Sequence, residues 1–215
     1  MICMINKFSL YLSLFLLIGC NAVGSAFTYT EAANFLKGYA TSFPEDKISL
    51  EQFNDFDTSF ANIKIGRGPS SLVVLAYASP GNHEWISSDG VQVFTNKGYI
   101  FKTMGLSSDV TLEAIDYLDR NLQNTSFTST ATFYNPDLFL TSVENYIQKS
   151  DKKIVLKRPN GTINATLYNH DFYVPNIKWR GNNKFYVNDE GLIIRTEQDL
   201  HPKISKFKID FFYKF

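Results

Sequence analysis

The run from Glu84 to Thr103 most constrains what this chain can fold into. Glu84-Trp85-Ile86-Ser87-Ser88 is a short strand-forming segment that leads into Asp89-Gly90. That pair suits a type I′ hairpin, whose two central residues both need positive φ. Val91 to Thr95 returns, Asn96-Lys97-Gly98 turns again, and Tyr99 to Thr103 completes a three-strand meander. The rest of the chain repeats this grammar. Ala61 to Ile65 alternates apolar and polar residues, Gly66-Arg67-Gly68-Pro69 interrupts it, and Ser71 to Ala78 is a nearly continuous apolar run suited to a strand buried on both faces. Further strands are expected over Thr128 to Tyr134, Leu138 to Gln148 and Lys152 to Lys157. Beyond the turn at Arg158-Pro159-Asn160-Gly161, Thr162 to Val174 reads as one long strand. Lys184 to Asn188, a turn at Asp189-Glu190-Gly191, and Leu192 to Thr196 form a last hairpin. The stretch from Lys203 to Phe215 then alternates as a closing strand, with Phe212 out of phase.

Composition agrees with strands. The chain holds 19 Phe and 12 Tyr, and aromatic and β-branched residues favour pleated, half-buried surfaces. Helical signals are few. Thr30 is placed to cap a short helix from Glu31 to Tyr39, and Pro44 to Phe60 has room for another helical turn. Gly105 to Asn124 fits either a helix, through Val110, Leu112, Ile115, Leu118 and Leu122, or a long ordered excursion. The expectation is a mainly β single domain of antiparallel meanders in branching or curved sheets, with one or two short helices.

The N-terminus supplies an address. Lys7 precedes an apolar segment from Phe8 to Ile18, and Leu17-Ile18-Gly19-Cys20 closes it. Ordinary secretory signals end in a small-x-small site, whereas this box places a thiol at the start of the mature chain. A thiol is the nucleophile that takes a diacylglyceryl group, and two or more acyl chains anchor a protein stably without a spanning helix. The apolar segment is also shorter than the roughly 20 residues a spanning helix needs. Residues 1–19 are therefore read as a removed lipoprotein signal, 20–28 as the lipidated N-terminus and tether, and 29–215 as the domain. Asn21, rather than Asp, follows Cys20, so attachment to the outer membrane facing the periplasm is expected. Cys3 is lost with the signal, leaving no disulfide.

Local sequence points to no reaction. Lysine plus arginine equals aspartate plus glutamate at 21 each, which lacks the basic excess of a nucleic-acid protein. His83, His170 and His201 stand alone, outside any metal-ligand spacing, so neither a metal nor another cofactor is expected. Gly66 to Pro69 is not a phosphate loop, and no Gly-x-Ser-x-Gly elbow occurs. Asp46 with Glu51, or Asp116 with Asp119, are carboxylate pairs of the type a glycosidase uses, but such acids more often sit on solvated faces. The remaining candidates for binding a glycan or a partner are Trp85 and Trp179, able to stack on a sugar or to pack, and Arg195 and Gln198, which follow the last hairpin and suit a polar network with its turn.

Several of these stretches, taken in order, resemble the group 4 capsule polysaccharide lipoprotein family of the GfcB/YjbF type. They are Ile65-Gly66-Arg67-Gly68-Pro69, Trp85-Ile86-Ser87-Ser88-Asp89-Gly90, Thr95-Asn96-Lys97-Gly98 and Lys102-Thr103-Met104-Gly105-Leu106, then Phe185-Tyr186-Val187-Asn188 with Gly191, Arg195, Gln198 and Pro202. Tyr186 stands where the family tends to carry Trp. The resemblance implies a mainly β outer-membrane lipoprotein that is a non-catalytic accessory to capsule or exopolysaccharide export and assembly, acting on the polysaccharide or on export-machinery proteins. Two other readings stay open on the residues: a periplasmic lipid or lipoprotein carrier with an apolar cavity inside a curved sheet, and a glycan hydrolase.

Overall fold

The computed structural model describes residues 48–115 and 123–214. Cys20, the expected Glu31 to Tyr39 helix, Asp46 and the Asp116/Asp119 pair lie outside them. Twelve strands follow one another around a closed antiparallel barrel. They are β1 (Phe60–Ile65), β2 (Ser70–Ser79), β3 (Asn82–Ser87), β4 (Gln92–Asn96), β5 (Tyr99–Met104), β6 (Val110–Leu112), β7 (Ser126–Phe133), β8 (Leu138–Arg158), β9 (Gly161–Val174), β10 (Trp179–Val187), β11 (Ile193–Gln198) and β12 (Phe207–Phe212). Each pairs with its neighbour in sequence, and β1 pairs with β12 from Phe60↔Phe212 to Ile65↔Phe207, which closes the ring. The expected meander is β3–β4–β5, with turns at Asp89-Gly90 and Lys97-Gly98. The first is not the expected type I′ turn: only Gly90 has positive φ, and the loop closes from Ser87 to Val91, whereas at the second both Lys97 and Gly98 are positive.

The expected mainly β, antiparallel fold is present, and its curvature runs to full closure. Residues 110–112 of the ambiguous region form a strand. The two strands expected on either side of Lys149 are one 21-residue strand, β8. A register shift between Lys149 and Lys153 absorbs the polar interruption without breaking the ladder.

Alternation sorts side chains to the two faces of the sheet. Ile63, Val73, Trp85, Val93, Tyr99, Phe133, Ile147, Phe172, Phe185, Phe207, Ile209 and Phe211 are buried together inside. Lys64, Lys208 and Glu144 alternate with inward residues and stand on the outer face, the reverse of a lipid-facing barrel. A wide ring of strands tends to leave a channel, but here opposite walls meet. The Gln198 side chain on β11 accepts from the Ile100 N–H of β5 at 2.9 Å and donates to the Ile100 carbonyl at 3.3 Å. Tyr99 of β5 lies edge-on to Phe185 of β10. The barrel is flattened, and its interior is largely core.

Two outer faces are covered. Helix α1 (Leu50–Asp55) opens with a reciprocal capping box between Ser49 and Gln52. The segment packs Phe53 and Phe56 against Phe60, Val74, Ile86 and Phe212 on the outside of β1, β2, β3 and β12. This explains why Phe212 is out of phase, and why Val73 and Val74 are both buried in β2. The second cover is the tip of the β8–β9 hairpin. β9 loses its β10 partner beyond Thr166↔Val187, so residues 154–165 form a two-stranded arm. The arm folds onto the outside of β10 and β11 through Leu156, Ala165, Ile194 and Tyr186.

Candidate functional site

The four side chains singled out in the sequence do not converge. Trp85 is 1% exposed, packed against Phe211 and Tyr213, and its Nε1 donates to Thr95 Oγ1 at 3.0 Å. It offers no face to a sugar, because β3 turns it inward, so a stacking role for Trp85 does not survive the fold. Trp179 is half-buried, edge-on to Phe133 and Phe172, and walls an interior cavity of about 20 Å³. Gln198 is fully buried, and its amide is spent on Ile100 and Thr196. The network expected between Arg195, Gln198 and the turn at residues 189–191 is absent: the two side chains point to opposite faces of β11.

Arg195 faces outward into a polar cluster built from three strands. Its Nε donates to Asp210 Oδ1 of β12 at 2.6 Å, and Arg158 Nη1 from the arm reaches the same oxygen at 3.3 Å. Arg158 Nη2 donates to the Ile194 carbonyl, and the guanidinium carbon lies 5.0 Å from the Phe212 ring centre. The Arg158 side chain is only 3% exposed, and its Nε–H has no partner. Burial, with the Arg195 charge added, lowers the Arg158 pKa against the opposing pull of Asp210. Beside this cluster lies a cleft of about 400 Å³, also walled by Ile48, Asn62, Leu156 and Lys157.

A second recess, of about 350 Å³, lies on the outer face of β7–β10. Tyr146 of β8 and Tyr173 of β9 stand in it on neighbouring strands, and the Arg180 guanidinium lies 4.4 Å from the Tyr173 ring centre. Ser126, Thr128, Glu144 and Asp171 surround them with hydroxyls and carboxylates. Aromatic faces beside hydrogen-bonding groups fit the alternating apolar and hydroxylated faces of a sugar ring. No local sequence motif marks these residues. The signal was outward-phase tyrosine on two successive long strands.

The interior holds a further polar set. His170 Nε2 lies 2.9 Å from Asn145 Oδ1 and its Nδ1 lies 3.1 Å from Asn183 Nδ2, while Asn145 Nδ2 donates to Ser129 Oγ at 2.9 Å. A neutral imidazole satisfies both asparagines, and burial lowers its pKa to about 4. No group of three potential metal ligands occurs among the described residues. At one end of the barrel an apolar recess of about 260 Å³ is lined by Ile63, Val73, Val93, Leu106 and Phe207, with Ser87 and Asp89 also on its wall.

Residues 34–212 match the family model for the group 4 capsule polysaccharide lipoprotein gfcB, YjbF. The chain is 23% identical over 199 residues to the lipoprotein YjbF of Escherichia coli K12, covering 89% of this chain and 90% of that one. The crystal structure of the lipoprotein YmcC from Escherichia coli K12 superposes with a TM-score of 0.67 at 12% identity, covering 89% of this chain and 98% of the other. At that identity the likeness is one of fold.

Proposed function

Because this chain belongs to the group 4 capsule polysaccharide lipoprotein family, we propose that it is a lipid-anchored, periplasm-facing accessory of the outer membrane. In this reading it holds polysaccharide, without cleaving it, during export or assembly. The observation that carries the reading is the recess formed by Tyr146, Tyr173 and Arg180, whose chemistry suits a saccharide. Cys20 carries the anchor, and residues 1–19 are the removed signal.

The test is direct. Isolated capsule or exopolysaccharide should bind the full-length protein in detergent, and a Tyr146→Ala/Tyr173→Ala variant should bind it about tenfold more weakly, the loss expected for stacked aromatic anchors. Equal binding by the variant would sink the assignment of the site. New reducing ends in the incubated polymer would sink the non-catalytic reading. Deleting the protein should lower surface polymer, and Cys20→Ala should release it from the outer-membrane fraction.

The apolar recess beside Ile63 and Phe207 favours a second reading, a carrier of an acyl chain or similar apolar ligand. Displacement of a fluorescent fatty acid, lost on Val93→Trp, would support it over the first.

A further inference from the structure

We propose that the cleft between the β8–β9 arm and β11–β12 is a subsite for the carboxylate of an acidic sugar, with Arg195 as its principal ligand and Arg158 behind it. The inference rests on the glycan reading above, which supplies the saccharide; the charge arithmetic stands apart from it. Two guanidiniums converge on a single oxygen of a single carboxylate, Asp210 Oδ1. Glu197, next on the same face of β11, accepts a hydrogen bond from Tyr186 and stands opposite Lys184 and Lys208 on the flanking strands. Arg158, Arg195 and Asp210 therefore keep one positive charge in surplus where solvent is largely excluded, the Asp210 side chain being 16% exposed and that of Arg158 3%. Unpaired buried charge is costly, and a monoanion entering the cleft would relieve it. Arg195 has spent only its Nε on Asp210 and remains 22% exposed at the cleft, so the outer edge of its fork is available to a bidentate oxyanion. Arg158, with its Nε–H unpaired and its ring-stacked guanidinium pinned by Ile194, supplies charge from below. Lys157 stands exposed at the rim, where it adds long-range attraction. The excess of one charge fits a uronate better than a multivalent phosphate or an anionic membrane.

Calorimetric titration of the full-length protein in detergent at low salt tests this with glucuronate, glucose and inorganic phosphate as probes, and with phosphatidylglycerol vesicles in a parallel flotation assay. Glucuronate should bind and glucose should not. Arg195→Gln should weaken glucuronate about tenfold or more, the scale of a lost hydrogen bond to a charged group. Lys149→Ala, a charge removed elsewhere on β8, should leave binding unchanged. Asp210→Asn should tighten it, because the competing internal carboxylate is gone, whereas a purely architectural cluster would only lose stability. If Asp210→Asn does not fold, Arg195→Gln decides alone. Failure of glucuronate to bind, indifference to Arg195→Gln, tighter binding of phosphate, or Arg195-dependent vesicle binding without glucuronate binding would each overturn the proposal. Loss of polymer binding in the tyrosine variant with glucuronate binding intact would separate this subsite from the recess on β7–β10.

Discussion

Gln198 joins the two walls of the barrel with one side-chain amide. Removing it in Gln198→Ala leaves the Ile100 N–H and carbonyl buried without partners, at about 1–3 kcal/mol for each unsatisfied group. The variant should lose about 2–6 kcal/mol in urea unfolding. His170 sets a pH dependence. Its ordinary pKa of 6.5 falls to about 4 on folding, because burial penalises the imidazolium more than nearby Asp171 favours it. Between those values the unfolded chain binds a proton that the native state refuses. Stability is therefore full above pH 6.5 and declines as pH falls towards 4, by about 3 kcal/mol for this group. His83 and His201 are lowered by burial too, and push in the same direction. Unfolding midpoints taken from pH 7 to 4 should show this slope, and His170→Gln should make it shallower. None of this was legible along the chain, where each histidine stands alone. Its asparagine partners are 25 and 13 residues away, and only strand pairing brings them together.

The arm shows what an element can hide. The apolar phase along Leu138 to Gln148 and along Lys152 to Lys157 is plain in sequence, yet continuity through Ser150 and Asp151 depends on β9 keeping its pairing on both sides of the bulge. The arm is held down by Arg158, whose loss in Arg158→Ala strands Asp210 with one partner and uncovers the Phe212 ring. Asp210 keeps Arg195 and the surplus charge is relieved, so the cost is that of the lost hydrogen bonds and ring contact, about 2–3 kcal/mol. Hydrogen exchange over residues 154–165 should accelerate in this variant more than exchange at β3 or β4. The turn at Asn96-Lys97-Gly98 gives the opposite lesson. Its place is readable, but its contact is not: a Cβ on Gly98, whose φ is +93°, would meet Ile193 Cβ of β11 at 2.6 Å. Gly98→Ala should cost about 1–3 kcal/mol through strain and displacement of β11, measured as a lowered denaturation midpoint.

At the scale of the molecule, closure by β1 and β12 is the decisive event. It joins residues more than a hundred positions apart, and that long a loop costs about 4 kcal/mol in entropy. A chain truncated after Pro202 loses β12, leaving both β1 and β11 as open edges. Such edges pair with other chains, so this truncation should aggregate and lose cooperative unfolding, as followed by light scattering and circular dichroism. The sequence by itself determined the strands, most of the turns, the antiparallel order and the family motifs. Each depends on a period of two, a turn dipeptide or a short ordered pattern, all settled among near neighbours. Only tertiary structure decided which side of each strand is inside. In an open sheet Trp85 would have a free face, whereas in a closed, flattened barrel it is core. The same closure brings Arg158, Arg195 and Asp210 together from β8, β11 and β12. Side-chain alternation tells that the two faces differ; which face water reaches is set by contacts among strands far apart in the chain.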